Sequence, residues 1–214
     1  MNSLRTTVVV DYQNVHLVAH GLFESSRARP AHECLVDPLL FAMRLVKERN
    51  ARQRPDMPAA VLERVEVFRG QPSPEHDERG YNRSQAQRAN WQRDDRVTVV
   101  LRPLKYEYER DASGRPATDA LGQRILKGAP REKGVDVLCA LAAVRAARDP
   151  AVDLVILASS DTDLAPALDE VRRLGTAKIE TFCWWDAKAR RGTKFILPIV
   201  RGPCGTRGCP RRRS

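Results

Sequence analysis

Short aliphatic runs alternate with amphipathic segments along this chain of 214 residues. Three of the runs are apolar almost throughout: Thr7 to Val10, Val97 to Leu101 and Leu154 to Ala158. Strands that are apolar on both faces, rather than at every second residue, are typical of parallel sheets covered by helices. The alternation therefore predicts an α/β fold, an open, doubly wound and mostly parallel sheet with helices on both faces in three layers.

Weaker patterns predict the remaining elements. The other predicted strands are Val61 to Arg69, Lys178 to Cys183 and a short edge strand at Lys194 to Leu197. The predicted helices follow the Asp37-Pro38 cap, cover Ser73 to Asp95, begin at Gly134, and run from Thr162 to Leu174 before Gly175. The expected buried stripes are Leu39, Leu40, Met43 and Val46 in the first of these helices, and Val135, Leu138, Leu141 and Ala142 in the third.

One domain is expected over residues 1–200, because a chain of this size builds a single core. Residues 103–130 interrupt the alternation, and a turn-like Asp111 to Gly114 predicts a two-stranded excursion there. Residues 201–214 carry five arginines and no acid, which predicts a flexible basic tail. Cys204 and Cys209 in this tail are half of a zinc site at most, since structural zinc takes four ligands.

The charge balance points to a polyanionic partner. Lysine and arginine number 37 against 27 aspartates and glutamates, a formal charge of +10. Such an excess attracts nucleic acid or an anionic membrane surface, although half of it lies in the tail. The sequence has no run of membrane-spanning length, and its first residues lack an apolar signal core. We therefore expect a cytoplasmic protein without a membrane partner.

Aspartates follow two of the aliphatic strands. Asp11 closes the first, and Asp161 and Asp163 come after the fourth. If the strand order is 3-2-1-4-5, these two strands are neighbours where the order reverses, which is where doubly wound sheets bind ligands. Asp136 lies at the same edge, in the first turn of the helix that begins at Gly134. Acids gathered there raise one another's pKa unless a cation neutralises them.

A divalent cation held by Asp11, Asp136, Asp161 and Asp163 is the simplest neutraliser. Mg²⁺ prefers a few carboxylates and keeps several waters, and Mn²⁺ suits the same donors. The amide of Asn14 is placed to hold a carboxylate or a coordinated water. Structural interpretations stay open for each residue taken singly: N-caps for Asp161, Asp163 and Asn14, and a first-turn acid favoured by the helix dipole for Asp136.

These motifs resemble the NYN domain family, nucleases of the PIN-like fold to which LabA-type proteins also belong. The resemblance spans roughly residues 5–185 and lies in Val10-Asp11-Tyr12-Gln13-Asn14, Lys133-Gly134-Val135-Asp136 and Ser159-Ser160-Asp161-Thr162-Asp163-Leu164. It implies a PIN-like, Rossmann-like three-layer fold and metal-dependent cleavage of RNA. It also implies that the four aspartates are the catalytic, metal-binding acids, with Asn14 and Ser160 in supporting roles.

Single-stranded RNA is the expected partner on this interpretation. Lys127, Arg131 and Lys133 precede the Asp136 helix and are predicted to hold the phosphate backbone, although a solvated basic loop explains Lys127 equally well. Tyr12 is predicted to stack on an unpaired base. The alternative is a non-catalytic RNA-binding or scaffolding protein that retains the metal site. A homo-oligomer is compatible with the sequence.

Overall fold

The computed structural model describes residues 3–24, 29–186 and 191–192. The strands within these ranges are β1 (Leu4–Asp11), β2 (Ala60–Gln71), β3 (Val97–Pro103), β4 (Leu154–Ala158), β5 (Lys178–Thr181), β6 (Trp185–Asp186) and β7 (Arg191–Gly192). The α-helices are α1 (Tyr12–Phe23), α2 (Pro38–Arg52), α3 (Glu78–Trp91), α4 (Val135–Arg148) and α5 (Ala165–Leu174). The predicted edge strand at residues 194–197 and the basic tail with its two cysteines lie outside the described residues.

The five longer strands form one parallel sheet in the order β3-β2-β1-β4-β5. Alternate residues of β1 enter two separate cores, with Val8 and Val10 on one face and Val9 on the other. Helices α1, α2 and α3 cover the first face, and α4 and α5 cover the second. The predicted α/β three-layer class and the strand order are therefore confirmed. The helices of the described part are all too short or too polar to cross a membrane.

Small side chains bring α4 close to the sheet. Its buried face consists of Val135, Cys139, Ala142, Ala143, Ala146 and Ala147. Leu141, predicted to lie on this face, is 61% exposed because the helix turns its alanine side toward the strands. This close approach matters for the site, since α4 begins at the carboxyl edge of the sheet.

The predicted stripe of α2 is also partly wrong. Ala42 and Val46 are buried, with Leu39, Phe41 and Leu45 packed beside them, whereas Leu40 and Met43 are exposed. The ends of the helices agree better with the sequence. The Asp37 carboxylate accepts a hydrogen bond from the Leu40 backbone N–H at 2.9 Å, and Gly175 ends α5 in the left-handed conformation, with φ of 66°.

An arm, residues 104–132, leaves the end of β3 and returns at the start of α4. The sequence predicts two strands here, but the arm has three short segments that are joined to one another by backbone hydrogen bonds. Glu109 N–H donates to the Ile125 carbonyl, Ile125 N–H to Ala117 and Ala117 N–H to Glu109, at 2.8 to 2.9 Å. Because β3 ends and α4 begins at the carboxyl edge of the sheet, the arm stands beside that edge.

Candidate active site

Asp11 is a buried carboxylate at the carboxyl end of the central strand β1. Its side chain is only 6% exposed, and it caps α1 by accepting a hydrogen bond from the Asn14 backbone N–H at 3.3 Å. Burial raises the pKa of Asp11. Hydrogen bonds from Ser159 and Asn14 oppose that rise, and the neighbouring carboxylates of Asp161 and Asp136 add to it. The charged form of Asp11 is therefore disfavoured in the metal-free protein.

Ser159 links Asp11 to the loop after β4. The Ser159 hydroxyl donates to the Asp11 carboxylate at 3.0 Å and accepts from the Asp161 backbone N–H at 3.1 Å. Asp161 in turn accepts a hydrogen bond from the backbone N–H of Asp163 at 3.0 Å. Residues that are 148 positions apart in the sequence thus form one continuous network. Sequence reasoning missed Ser159, which differs from its predicted neighbour Ser160 in being fully buried.

Asn14 fixes the same loop. Its side-chain oxygen accepts hydrogen bonds from both the backbone N–H and the hydroxyl of Ser160, each at 2.9 Å. The amide oxygen therefore positions the loop instead of holding a carboxylate, and the N-cap of α1 is Asp11. Ser160 supports the site through this contact.

Glu132 is a further acid that sequence reasoning did not single out. It lies on the returning segment of the arm, and its carboxylate accepts a hydrogen bond from the Gly70 backbone N–H near the end of β2. Burial raises the pKa of Glu132. The Gly70 hydrogen bond opposes this rise, whereas the Asp11 carboxylate and, more weakly, Asp136 add to it. A side chain at position 70 would overlap Glu132 and Leu104, so glycine lets the arm approach the sheet here.

Asp136 and Asp163 occupy different depths of the site. Asp136 is half-buried in the first turn of α4, and Cys139 lies one turn further along, fully buried. Burial raises the pKa of the Cys139 thiol, and Asp11, Glu132 and Asp136 raise it further. The Asp163 side chain is exposed at the rim, and its backbone N–H is the group tied into the network.

The donors fit a hydrated magnesium ion better than a fully enclosed one. Among the described residues, no three His, Cys, Asp or Glu side chains are grouped closely enough to hold a metal. Asp11 nevertheless interacts electrostatically with Asp136, Asp161 and Glu132, so the carboxylate oxygens of these residues lie in one neighbourhood. Mg²⁺ commonly takes one or two direct carboxylates and keeps its other waters, which suits such a spaced set of acids.

The prediction that Tyr12 stacks on a base is wrong, because its ring is buried. Only 1% of Tyr12 is exposed, its hydroxyl donates to the Val36 carbonyl at 3.1 Å, and burial raises its pKa to about 12. The ring stacks on His16 and contacts Trp91, with centroids 5.4 and 4.8 Å away. As the first residue of α1, Tyr12 faces the core beneath that helix.

Two of the three predicted phosphate-binding cations, Lys127 and Arg131, lie on the returning segment of the arm, and Lys133 follows it directly. Lys133 is exposed, three residues before Asp136, and its carbonyl accepts a hydrogen bond from the Arg102 side chain at 2.7 Å. Arg131 is exposed and pairs with Glu107 at 2.6 Å. Lys127 lines a cavity within the arm. Lys133 is therefore the nearest of the three to Asp136 in sequence, whereas Arg131 and Lys127 lie further back along the arm.

The sequence model of the NYN domain matches residues 77–189. This stretch is more than half of the chain and contains Glu132, Asp136, Asp161 and Asp163. The chain belongs to the NYN domain family. NYN domain proteins are typically nucleases, so the family points to nuclease activity in general. Asp11 and Asn14 precede the matched stretch, and the hydrogen bonds to Ser159 and Ser160 attach them to it.

Other comparisons add little about the activity of this NYN protein. One similar solved structure is the crystal structure of a protein of unknown function from Vibrio parahaemolyticus. It is 21% identical, with a TM-score of 0.45, and the match covers 85% of this chain and 83% of the other. No curated protein matches the chain.

Glu132→Gln tests whether the arm contributes charge to the NYN site. Glutamine keeps the oxygen that accepts from Gly70 and removes only the negative charge, so the arm should stay in place. We expect the Mg²⁺ concentration for half-maximal activity to rise about 10-fold or more, as when groups around a metal are altered. A magnesium titration of RNA cleavage measures this shift. Glu109→Gln, in an exposed part of the same arm, is the matched control, and an equal shift in both variants would contradict a local role.

Proposed function

We propose that this NYN domain is a ribonuclease that hydrolyses phosphodiester bonds of RNA with the help of Mg²⁺ or Mn²⁺. The observation that carries the proposal is the buried Asp11 carboxylate, whose pKa is raised while Asp161 and Asp136 lie near it. Acids from three distant parts of the chain lie at the carboxyl edge of the sheet and act electrostatically on one another, and this edge is where α/β proteins bind their ligands. Uncompensated negative charge would repel RNA, so a bound cation is needed before a phosphate can approach.

Asp11, Asp136 and Asp161 are the residues that would hold the cation, with Asp163 at the rim. A divalent cation in such a site polarises a phosphate oxygen and makes water a better nucleophile at neutral pH. Ser159 and Asn14 hold the loop that carries Asp161 against the end of β1, where Asp11 lies. Glu132 adds negative charge from the arm. Lys133, which precedes the Asp136 helix, would bind a non-bridging oxygen of the RNA backbone, and Arg131 and Lys127 would extend this contact along the arm.

The first test is the metal dependence of RNA cleavage. Single-stranded RNA labelled at either end is incubated with the protein in Mg²⁺, Mn²⁺ or chelator. We expect products with either metal and none with chelator, because the acids cannot bind the phosphate unaided. The two labels distinguish cleavage within the strand from removal of terminal nucleotides. RNA binding without metal-dependent products would favour the alternative, a non-catalytic RNA-binding or scaffolding protein.

A further inference from the structure

The outer surface of α3 carries a row of arginines that the proposed active site does not use. Arg79, Arg83 and Arg88 are all exposed, and Glu78 is the single acid in this helix. Because α3 follows β2, its first turn lies at the carboxyl edge, where the acids also lie. Arg79 and Arg83 are four residues apart, so they are neighbours on one side of the helix.

These arginines differ from those of α2 and α5 in having no acidic partner. In α2, Arg44 and Arg52 both pair with Glu48, and Arg49 pairs with Glu180. In α5, Arg172 and Arg173 pair with Asp169 and Glu170. Of the carboxylates in the described ranges, none lies within 4.0 Å of the α3 arginines. Their positive charge is therefore available to attract an anionic partner molecule.

Arg69 connects this row to the acids. It lies near the end of β2, and its guanidinium donates to the side chain of Gln87, four residues beyond Arg83 on α3. The guanidinium also covers the Tyr12 ring at 5.0 Å, and Glu132 is among the charged groups that act on it. Because Arg83 also acts electrostatically on Arg69, Arg69 lies between the α3 arginines and the acids.

We propose that Arg79 and Arg83 of α3 bind the phosphate backbone of single-stranded RNA and direct it toward the acid cluster. The guanidinium fork suits this role because it donates two parallel hydrogen bonds to a phosphate. This proposal rests on the proposed function, since it identifies the surface by which the substrate reaches that site.

The test compares two double variants that remove equal charge. Arg79→Gln with Arg83→Gln neutralises the α3 row, and Arg172→Gln with Arg173→Gln removes two paired arginines from α5. Binding of a fluorescent single-stranded RNA is measured by anisotropy, in chelator so that no cleavage occurs, across a range of salt concentrations. For the α3 variant we expect affinity about 10-fold weaker near physiological salt. We also expect a log–log salt slope smaller by about 1.4, at ~0.7 per phosphate contact.

The α5 variant should bind RNA within about twofold of wild type, because its arginines are already neutralised by neighbouring acids. Equal weakening in the two variants would show that only net charge matters and would overturn the proposal. Unchanged affinity in the α3 variant would overturn it as well. Thermal unfolding checks the fold, and the single change Arg79→Gln, with an expected slope change of about 0.7, serves if the double variant is unstable.

The binding measurement is independent of hydrolysis. If wild type yields no metal-dependent products but the α3 variant alone loses RNA affinity, the ribonuclease proposal fails and the arginine surface stands. If cleavage is metal-dependent while RNA affinity does not depend on Arg79 and Arg83, the ribonuclease proposal stands and the arginine surface is rejected.

Discussion

Asp161→Asn is expected to lower metal-dependent RNA cleavage by at least about 100-fold while leaving the fold and RNA affinity nearly unchanged. Asparagine retains the oxygen that accepts from the Asp163 backbone N–H, and it is as good a capping residue as aspartate. The Ser159 hydroxyl bonds to the backbone of residue 161, so this contact also survives. The loss therefore comes from the missing carboxylate charge beside the cation, an effect at least as large as that of altering the groups that hydrogen-bond to metal ligands.

Single-turnover cleavage rates at saturating Mg²⁺ measure this effect, with RNA anisotropy and thermal unfolding on the same preparations. Asp149→Asn is the matched control, because Asp149 lies at the far end of α4 and accepts from the Ala151 backbone N–H through an oxygen that asparagine keeps. The control should cleave at the wild-type rate. Full activity in Asp161→Asn would show that the acid cluster is not the reaction centre.

The sheet could be predicted from sequence because its strands are aliphatic on both faces, a pattern with few alternative explanations. The buried faces of the helices were harder to predict. Residues 39–46 of α2 are almost all apolar, so several stripes fit and only the position of the sheet selects Ala42 and Val46. In α4, hydrophobicity favours Leu141, but close packing on the strands requires alanines. The buried face of α4 is therefore set by residue size, which a hydrophobic pattern does not include.

The positions of the site residues could be predicted where these residues follow strands directly, and could not be predicted where the path of the chain matters. Asp11 and Asp161 follow neighbouring strands, so their proximity follows from strand order. Glu132 reaches the site only because the arm folds back over more than twenty residues, and no local signal marks it. Tyr12 adjoins Asp11 in sequence, but the first helical turn directs successive side chains to different faces. A useful signal for Ser159 would have been its position one residue after a strand buried on both faces.

Asp11→Asn is expected to stabilise the metal-free protein at neutral pH while it abolishes cleavage. The pKa of Asp11 is raised in the folded protein, chiefly by burial, so ionisation of this carboxyl destabilises the fold. Asparagine removes that cost but still caps α1 well. In chelator, the variant should therefore unfold at a higher temperature than wild type, and thermal unfolding at neutral pH measures this gain.

The contribution of Asp11 to the free energy of unfolding changes with pH in one direction. Between the unfolded pKa near 4 and the raised folded pKa, the folded protein binds more protons at Asp11 than the unfolded chain does. The free energy of unfolding must then fall as the pH rises through this window. Glu132, whose pKa is also raised by burial, acts in the same direction. In chelator, the stability of wild type relative to Asp11→Asn should therefore fall as the pH rises from about 4 through the raised folded pKa of Asp11.

Added Mg²⁺ should make wild type more stable than Asp11→Asn. A cation that binds the folded state alone stabilises wild type by an amount that grows with its concentration, whereas the variant lacks a ligand and should not respond. Asp37→Asn is the matched control, since Asp37 caps α2 in the same way and lies outside the acid cluster. Its Tm should not change with Mg²⁺ differently from that of wild type. If Asp11→Asn is instead less stable than wild type in chelator, the hydrogen bonds to Ser159 and Asn14 outweigh burial, and the unbalanced charge that would attract a cation is absent.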